Sequence, residues 1–222
     1  MALGKRRKIS TKTYSEPSNV EALRVKIHPE QTALAIIDMQ RDYCCEGGIF
    51  DRRGFDIIPA QRLATRLNRF LARARRTLKH IIHVKMVKVP GLLSSTKEEH
   101  YGRLGIERKY DPDYGEFFKV VPRKGETVIA KYSYSAFVST YLDQFLRSNG
   151  VKTLLIAGVA TNVCIESTAR DGFTRDYHIV IPADLTEGTS ADAKKWSLAN
   201  IDMFFGEVVD SADVLRCWGL TE

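Results

Sequence analysis

Leu154-Leu-Ile-Ala-Gly-Val-Ala-Thr-Asn-Val-Cys164 is the stretch on which the fold turns. Its first half is a continuous apolar run, the pattern of a strand buried on both faces. Gly158 opens a tight turn, and Thr161 or Asn162 is the natural N-cap of the helix that follows. The spacing predicts a strand over 153–158 and a helix over 163–175. Upstream, Thr32-Ala-Leu-Ala-Ile-Ile-Asp38 is a second run of the same kind. Between the two, the pattern predicts a helix over 58–78, strands over 81–87 and 127–130, and a helix over 137–148. Downstream it predicts a strand over 178–182, a helix over 191–205 and a strand over 207–209. Strand and helix alternate throughout, which predicts an α/β fold: a three-layer α/β/α arrangement around a doubly wound, mostly parallel, Rossmann-like sheet. In such sheets ligands sit outside the carboxyl ends of the strands, near the switch point in strand order.

Around this core, residues 1–30 are polar and mixed, and are expected to form an arm lying on the body or on a partner subunit. Residues 31–222 are expected to form one domain. The segment 88–125 is too long for a routine connection and is expected to be a lid or long loop. Its aromatic residues, Tyr101, Tyr110, Tyr114, Phe117 and Phe118, suit either a pocket wall or an oligomer contact.

Composition narrows the function classes. A chain of 222 residues with 44% hydrophobic and 27% charged residues suits one globular domain with a sizeable core. Its apolar runs fall far short of the roughly 20 residues of a membrane-spanning helix. The basic N-terminus, Met1 to Lys8, has no apolar segment behind it, so a secretory signal is not expected and a cytoplasmic location is. Four cysteines (Cys44, Cys45, Cys164, Cys217) make neither a disulfide framework nor a C-x-x-C zinc pattern. The net charge of +7 collects in the first eight residues and between Arg62 and Lys88. Arg62, Arg66, Arg69, Arg73 and Arg76 fall on one helical face opposite Leu63, Leu67, Phe70, Leu71, Ala74 and Leu78. That is a solvated helix surface, not a nucleic-acid footprint. Lys5–Lys8 leaves a weak nuclear address or polyanion contact open.

Three strand ends carry chemistry. Cys164 falls in the first turn of its helix, where unpaired N–H groups and the helix dipole favour a thiolate and lower its pKa. The alternative is a small buried core cysteine. Asp38 ends the first strand, and Lys131 ends Thr127-Val-Ile-Ala-Lys131. Parallel strands open on one side, so Asp38, Lys131 and Cys164 can converge in one cleft. There Asp38 would take the thiol proton, and Lys131 would hold the electrostatics and the geometry.

With these motifs in hand, the sequence resembles the isochorismatase-like cysteine hydrolase superfamily over roughly residues 30–215. The matching segments are Ala35-Ile-Ile-Asp-Met-Gln40, Lys131-Tyr-Ser-Tyr-Ser-Ala-Phe137, Gly158-Val-Ala-Thr-Asn-Val-Cys164 and Asp171-Gly-Phe173. The resemblance implies an isochorismatase-like fold and a triad of Asp38, Lys131 and Cys164, with Cys164 as nucleophile. It also implies a cis peptide between Val159 and Ala160, with the N–H groups of Ala160 and Cys164 forming an oxyanion hole. Within the superfamily it is closest to the ureide and carbamoyl-amide hydrolases, those of ureidoacrylate and biuret. Cys164-Ile-Glu-Ser-Thr-Ala-Arg-Asp-Gly-Phe173 and Asn200-Ile-Asp-Met-Phe-Phe-Gly206 carry that likeness. Tyr134 matches a pocket tyrosine three residues after the lysine, and Phe137, Gln40 and Tyr43 are expected to bind substrate with it. After the second strand, ureidoacrylate hydrolases carry a polar Asn-containing segment, whereas this chain reads Lys85-Met-Val-Lys-Val89.

No metal and no cofactor are expected. The Asp-x-His pattern of the nicotinamidases is missing, and His28, His80, His83, His100 and His178 show no ligand spacing. Neither a G-x-G-x-x-G nor a G-x-S-x-G motif occurs. The expected function is a metal-independent cysteine amidohydrolase that cleaves a small ureide, carbamoyl or amide substrate through a covalent acyl-enzyme and releases ammonia. The alternatives are a nicotinamidase-like amidase, a vinyl-ether hydrolase and a non-catalytic binding protein. The expected partners are a small-molecule substrate and further copies of the chain in a homo-oligomer, with no nucleic acid and no membrane. Cys44 and Cys45, close to Asp38, either line the pocket or pack.

Overall fold

The computed structural model describes residues 20–89, 94–105 and 112–220. Its strands are β1 (Thr32–Ile37), β2 (His80–Met86), β3 (Thr127–Lys131), β4 (Thr153–Val159), β5 (His178–Pro182), β6 (Thr186–Glu187) and β7 (Glu207–Val209). Its helices are α1 (Val20–Lys26), α2 (Arg41–Cys44), α3 (Ile49–Arg52), α4 (Ile58–Ala74), α5 (Ser95–Arg103), α6 (Leu142–Ser148), α7 (Glu166–Phe173), α8 (Ala191–Phe204) and α9 (Ser211–Cys217). The strands pair in the order β3-β2-β1-β4-β5-β7, with β6 added beside β4. Every strand pairing is parallel. The order reverses between β1 and β4, so the switch point lies where Asp38 and the turn after Gly158 emerge.

Alternation along β1 divides the core in two. Leu34 and Ile36 pack on one face with α1, α4 and α9, through Leu23, Leu63, Leu67 and Val214. Ala33, Ala35 and Ile37 pack on the other with α6, α7 and α8, through Leu142, Ala169 and Ile201. Both faces of β1 and β4 are buried at every position, which is why these strands read as unbroken apolar runs. Among the described residues no helix is long and apolar enough to cross a membrane.

Within the segment 1–30, Leu23 and Ile27, one helical turn apart, are fully buried, and the Trp218 indole donates to the Ile27 carbonyl at 2.9 Å. Residues 1–19 lie outside the described residues. The helix expected over 137–148 begins only at Leu142, because Ser139 has φ +56°, which a helix cannot absorb. The helix expected from Val163 is preceded by a π turn over Thr161–Ile165, and neither Thr161 nor Asn162 caps it through its side chain. Arg62 and Arg69 on α4 and Arg76 just beyond it are exposed, but Arg66 binds Glu187 at 2.6 Å and the Asp184 carbonyl at 2.9 Å.

The long connection is partly structured. α5, capped by Ser94, occupies its first half, and after Pro112 the chain returns to the body. There Phe118 N–H donates to the Met39 carbonyl at 2.8 Å, and Arg41 N–H to the Glu116 carbonyl at 2.9 Å. The aromatics divide: Tyr101 faces the pocket described below, whereas Phe117 packs edge-on against His83 and Phe118 against the core. Tyr110 lies outside the described residues.

Candidate active site

A cavity of about 280 Å³ opens at the carboxyl ends of β1, β2, β3 and β4. Asp38 stands at its closed end, one residue beyond β1, with φ +51°. That is the left-handed region, which Asp tolerates better than most residues. Ile37 is in register with Gly158 of β4, and Met86 of β2 with Lys131 of β3. Lys131 is therefore two strands from Asp38, and a lysine has the length to cross that gap. A Cβ at Gly158 would meet the Ile37 carbonyl oxygen at 2.1 Å, and its φ is +112°, so only glycine lets the two strand ends approach this closely.

Lys131 is fully buried, and its ammonium has three partners. Nζ lies 2.8 Å from Asp38 Oδ2, donates to Cys164 Sγ at 3.3 Å and donates to the Ser133 carbonyl at 3.2 Å. Cys164 is 6% exposed and faces the cavity. Thr168 ties its helix to the loop after Lys131, donating to the Cys164 carbonyl at 2.7 Å and accepting from Ala136 N–H at 3.0 Å. The Val159–Ala160 peptide is cis, and Ala160 lines the cavity beside Cys164.

Charge states follow from burial. Burial disfavours a charge on Lys131, but its partners Asp38 and Cys164 outweigh it and raise the lysine above its ordinary value. Burial also raises Asp38, with Lys131 pulling against it. The Cys164 thiol is pushed well above its ordinary value by burial and then by Asp38, against the pull of Lys131. This corrects the expectation of a lowered thiol pKa. Position in a first helical turn does not offset a dry site that already holds one carboxylate, so at rest the thiol is protonated beside an Asp38–Lys131 ion pair.

Of the residues expected to contact substrate, Tyr43 and Tyr134 line the cavity, and Gln40 and Phe137 do not. Gln40 is spent on the fold: its amide donates to the carbonyls of Met86 and Gly115 at 2.9 and 2.8 Å and accepts from Met86 N–H at 2.8 Å. Phe137 is buried, stacked on Tyr177 with ring centroids 5.8 Å apart. It sits over Gly172, where a Cβ would meet Ile179 Cδ1 at 2.7 Å and Phe137 at 3.2 Å. That packing accounts for the Asp171-Gly-Phe173 motif. Glu166 and Asn200 serve a similar end, joined at 2.7 Å with Ser197 and Arg170 also on the carboxylate. Cys44 is buried in the core, its thiol pushed up to about 12 by burial and then by Cys45, and neither cysteine lines the cavity.

Sequence reasoning missed Arg53, Phe55, Lys97 and Thr189, which also line the cavity, because they come from segments distant in the chain. Asn162, read as a possible cap, instead pairs with Thr189 through two 3.0 Å bonds. Tyr101 and Tyr134 meet hydroxyl to hydroxyl at 2.9 Å, joining α5 to the loop after Lys131.

The Isochorismatase domain model matches residues 32–213. The chain is 35% identical over 205 residues to the ureidoacrylate amidohydrolase RutB of Yersinia enterocolitica serotype O:8 / biotype 1B, covering 84% of this chain and 88% of that protein. It is 34% identical over 217 residues to the RutB of Serratia proteamaculans (strain 568), covering 89% and 86%. The crystal structure of a cysteine hydrolase from Pseudomonas syringae pv. phaseolicola 1448A superposes with a TM-score of 0.77 at 28% identity, over 87% of this chain and 95% of that one. With the parallel sheet and the site at its switch point, these findings show that the chain belongs to the isochorismatase domain family, as an amidohydrolase that acts on non-peptide C–N bonds.

Proposed function

We propose that the chain is a cysteine amidohydrolase of small ureide, carbamoyl or amide substrates, with Cys164 as nucleophile, Asp38 as general base and acid, and Lys131 as their electrostatic partner. One observation carries the reading: a fully buried lysine stands between a carboxylate and a thiol, 2.8 Å from one and 3.3 Å from the other, at the closed end of a cavity. The substrates named for the RutB relatives make ureidoacrylate the leading candidate. The reading takes residues 31–222 as one hydrolase domain, with 88–125 as a lid or long loop.

The raised thiol pKa dictates the order of events. As the thiol proton passes to Asp38, Cys164 Sγ attacks the carbonyl carbon, and the carbonyl π electrons move to oxygen. Lys131 stabilises the site while the negative charge moves from carboxylate to sulfur and on to the substrate. The Ala160 and Cys164 N–H groups face the developing oxyanion, a type of contact worth about 2.7–4 kcal/mol per donor elsewhere. Collapse breaks the C–N bond, and the proton on Asp38 leaves with the amine or ammonia. Asp38 then takes a proton from water as the water attacks the thioester, and the thiol departs reprotonated.

The test is ammonia release from the wild type and Cys164→Ala across ureidoacrylate, biuret, N-carbamoyl amino acids, simple amides and nicotinamide, with and without chelator. The expected result is chelator-resistant turnover, reduced by at least about 10⁴-fold in Cys164→Ala, as when the nucleophile of a catalytic triad is removed. Comparable turnover by the variant would remove Cys164 as nucleophile.

A further inference from the structure

The charged residues in the cavity wall are Asp38, Arg53, Lys88 and Lys97. Two of them are neutralised where they stand. Asp38 pairs with Lys131 at 2.8 Å, and Lys88 pairs at 2.6 Å with Asp42, which lies outside the wall. Arg53 and Lys97 have no carboxylate partner among the described residues. The guanidinium of Arg53 rests on the Phe55 ring, 5.1 Å from its centroid. Lys97 and Tyr101 lie four residues apart on α5 and share a face. The Tyr101–Tyr134 bond holds that face toward the cavity. An apolar wall of Tyr43, Phe50 and Phe55, edge to face at 4.9 and 5.3 Å, lies beside Arg53 and lines the same cavity as Lys97. The cavity wall therefore holds, beside Asp38 with its Lys131 partner, two positive charges with no carboxylate partner among the described residues.

We propose that Arg53 and Lys97 form a carboxylate subsite that makes the enzyme select carbamoyl or ureido substrates carrying a carboxylate over neutral ureides. The inference rests on the amidohydrolase reading and narrows it. A planar guanidinium and an ammonium in one cavity wall suit a carboxylate, and two like charges lining one cavity raise the local concentration of anionic substrate. A neutral ureide such as biuret leaves both charges unanswered.

Two measurements test the subsite independently. In steady-state kinetics, Arg53→Gln and Lys97→Met are each expected to lower the ratio of kcat/KM for ureidoacrylate to kcat/KM for biuret about tenfold, chiefly through KM for the anion; tenfold corresponds to about 1.4 kcal/mol. The second measurement needs no turnover: alkylation of Cys164 by anionic iodoacetate and by neutral iodoacetamide, read by peptide mass. The iodoacetate-to-iodoacetamide rate ratio is expected to fall in both variants. In the wild type it is also expected to fall as ionic strength rises from about 0.01 M to about 1 M, where the screening length drops from roughly 30 Å to 3 Å. Unchanged ratios in both measurements overturn the subsite, even where hydrolysis of both substrates upholds the amidohydrolase reading. Altered alkylation ratios with no hydrolysis of any substrate uphold the subsite and overturn that reading. Both substitutions lie outside the buried core, so the folded protein remains available for measurement.

Discussion

At the scale of single residues, Lys131 does the least expected thing in the molecule. Lysine is almost never fully buried unless paired, and this one is paired twice over, by Asp38 and by the Cys164 sulfur. One positive charge shared by two potential anions means that only one of them is anionic at a time. In the proposed mechanism Asp38 holds the negative charge at rest, and Cys164 gains it only by giving Asp38 its proton. A pH dependence follows. Burial raises Asp38, and a base works only when deprotonated, so kcat/KM is expected to fall on the acid side through an apparent pKa above the ordinary aspartate value of about 4. That midpoint belongs to the coupled site as a whole. A pH–rate profile that stays flat down to about pH 4 would remove Asp38 as the base.

At the scale of elements, the site depends on how β3 is held at the sheet edge, since it delivers Lys131. Just before β3, Glu126 receives both arms of Arg75 at 2.7 and 2.9 Å, the Arg123 N–H at 2.8 Å and His83 Nε2 at 2.9 Å. This ties the strand to the end of α4 and to β2. Burial pushes the Glu126 carboxyl up, but Arg75, the Arg123 N–H and His83 outweigh it and lower it to about 2. A folded-state value below the unfolded one contributes stability that is present in full above the unfolded pKa of 4.5 and is lost as pH falls from there toward about 2. Glu126→Gln is therefore expected to cost on the order of 2 kcal/mol at neutral pH. In urea denaturation the gap to wild type should narrow below about pH 4. A gap of constant size across that range would show that the effect is not one of charge.

For the whole molecule, closure of the fold relies on its two ends meeting. α1 packs beside α9, where Cys217 Sγ lies 3.5 Å from the Val20 carbonyl and Trp218 sits 5.9 Å from Phe70 of α4. Trp218 is spent inside the chain, its indole bonded to the Ile27 carbonyl. Leu23 is the buried centre of α1. Leu23→Ala is expected to cost about 2–4 kcal/mol by leaving a cavity. At a temperature where the variant is folded, its turnover should stay within about threefold of wild type, because α1 lies on the face of the sheet away from α6, α7 and α8. Loss of turnover without loss of stability would place α1 in the site's machinery.

The sequence alone determined the layered parallel sheet and the meeting of Asp38, Lys131 and Cys164. Buried strands write themselves as unbroken apolar runs, as in 32–37 and 153–159, and a parallel sheet sends their ends to one side. Which side chains beyond the triad face the cavity was decided only by the tertiary structure. Gln40 and Tyr43 are three residues apart, yet one clamps β2 and the other lines the pocket, a difference set by the turn into α2. Arg53 and Lys97 carry no local signal, since their meaning comes from the folding of α3 and α5 over the strand ends. The protonation of Cys164 was decided there too, because a thiol's charge depends on how much water and how many anions surround it, and no chain position encodes either.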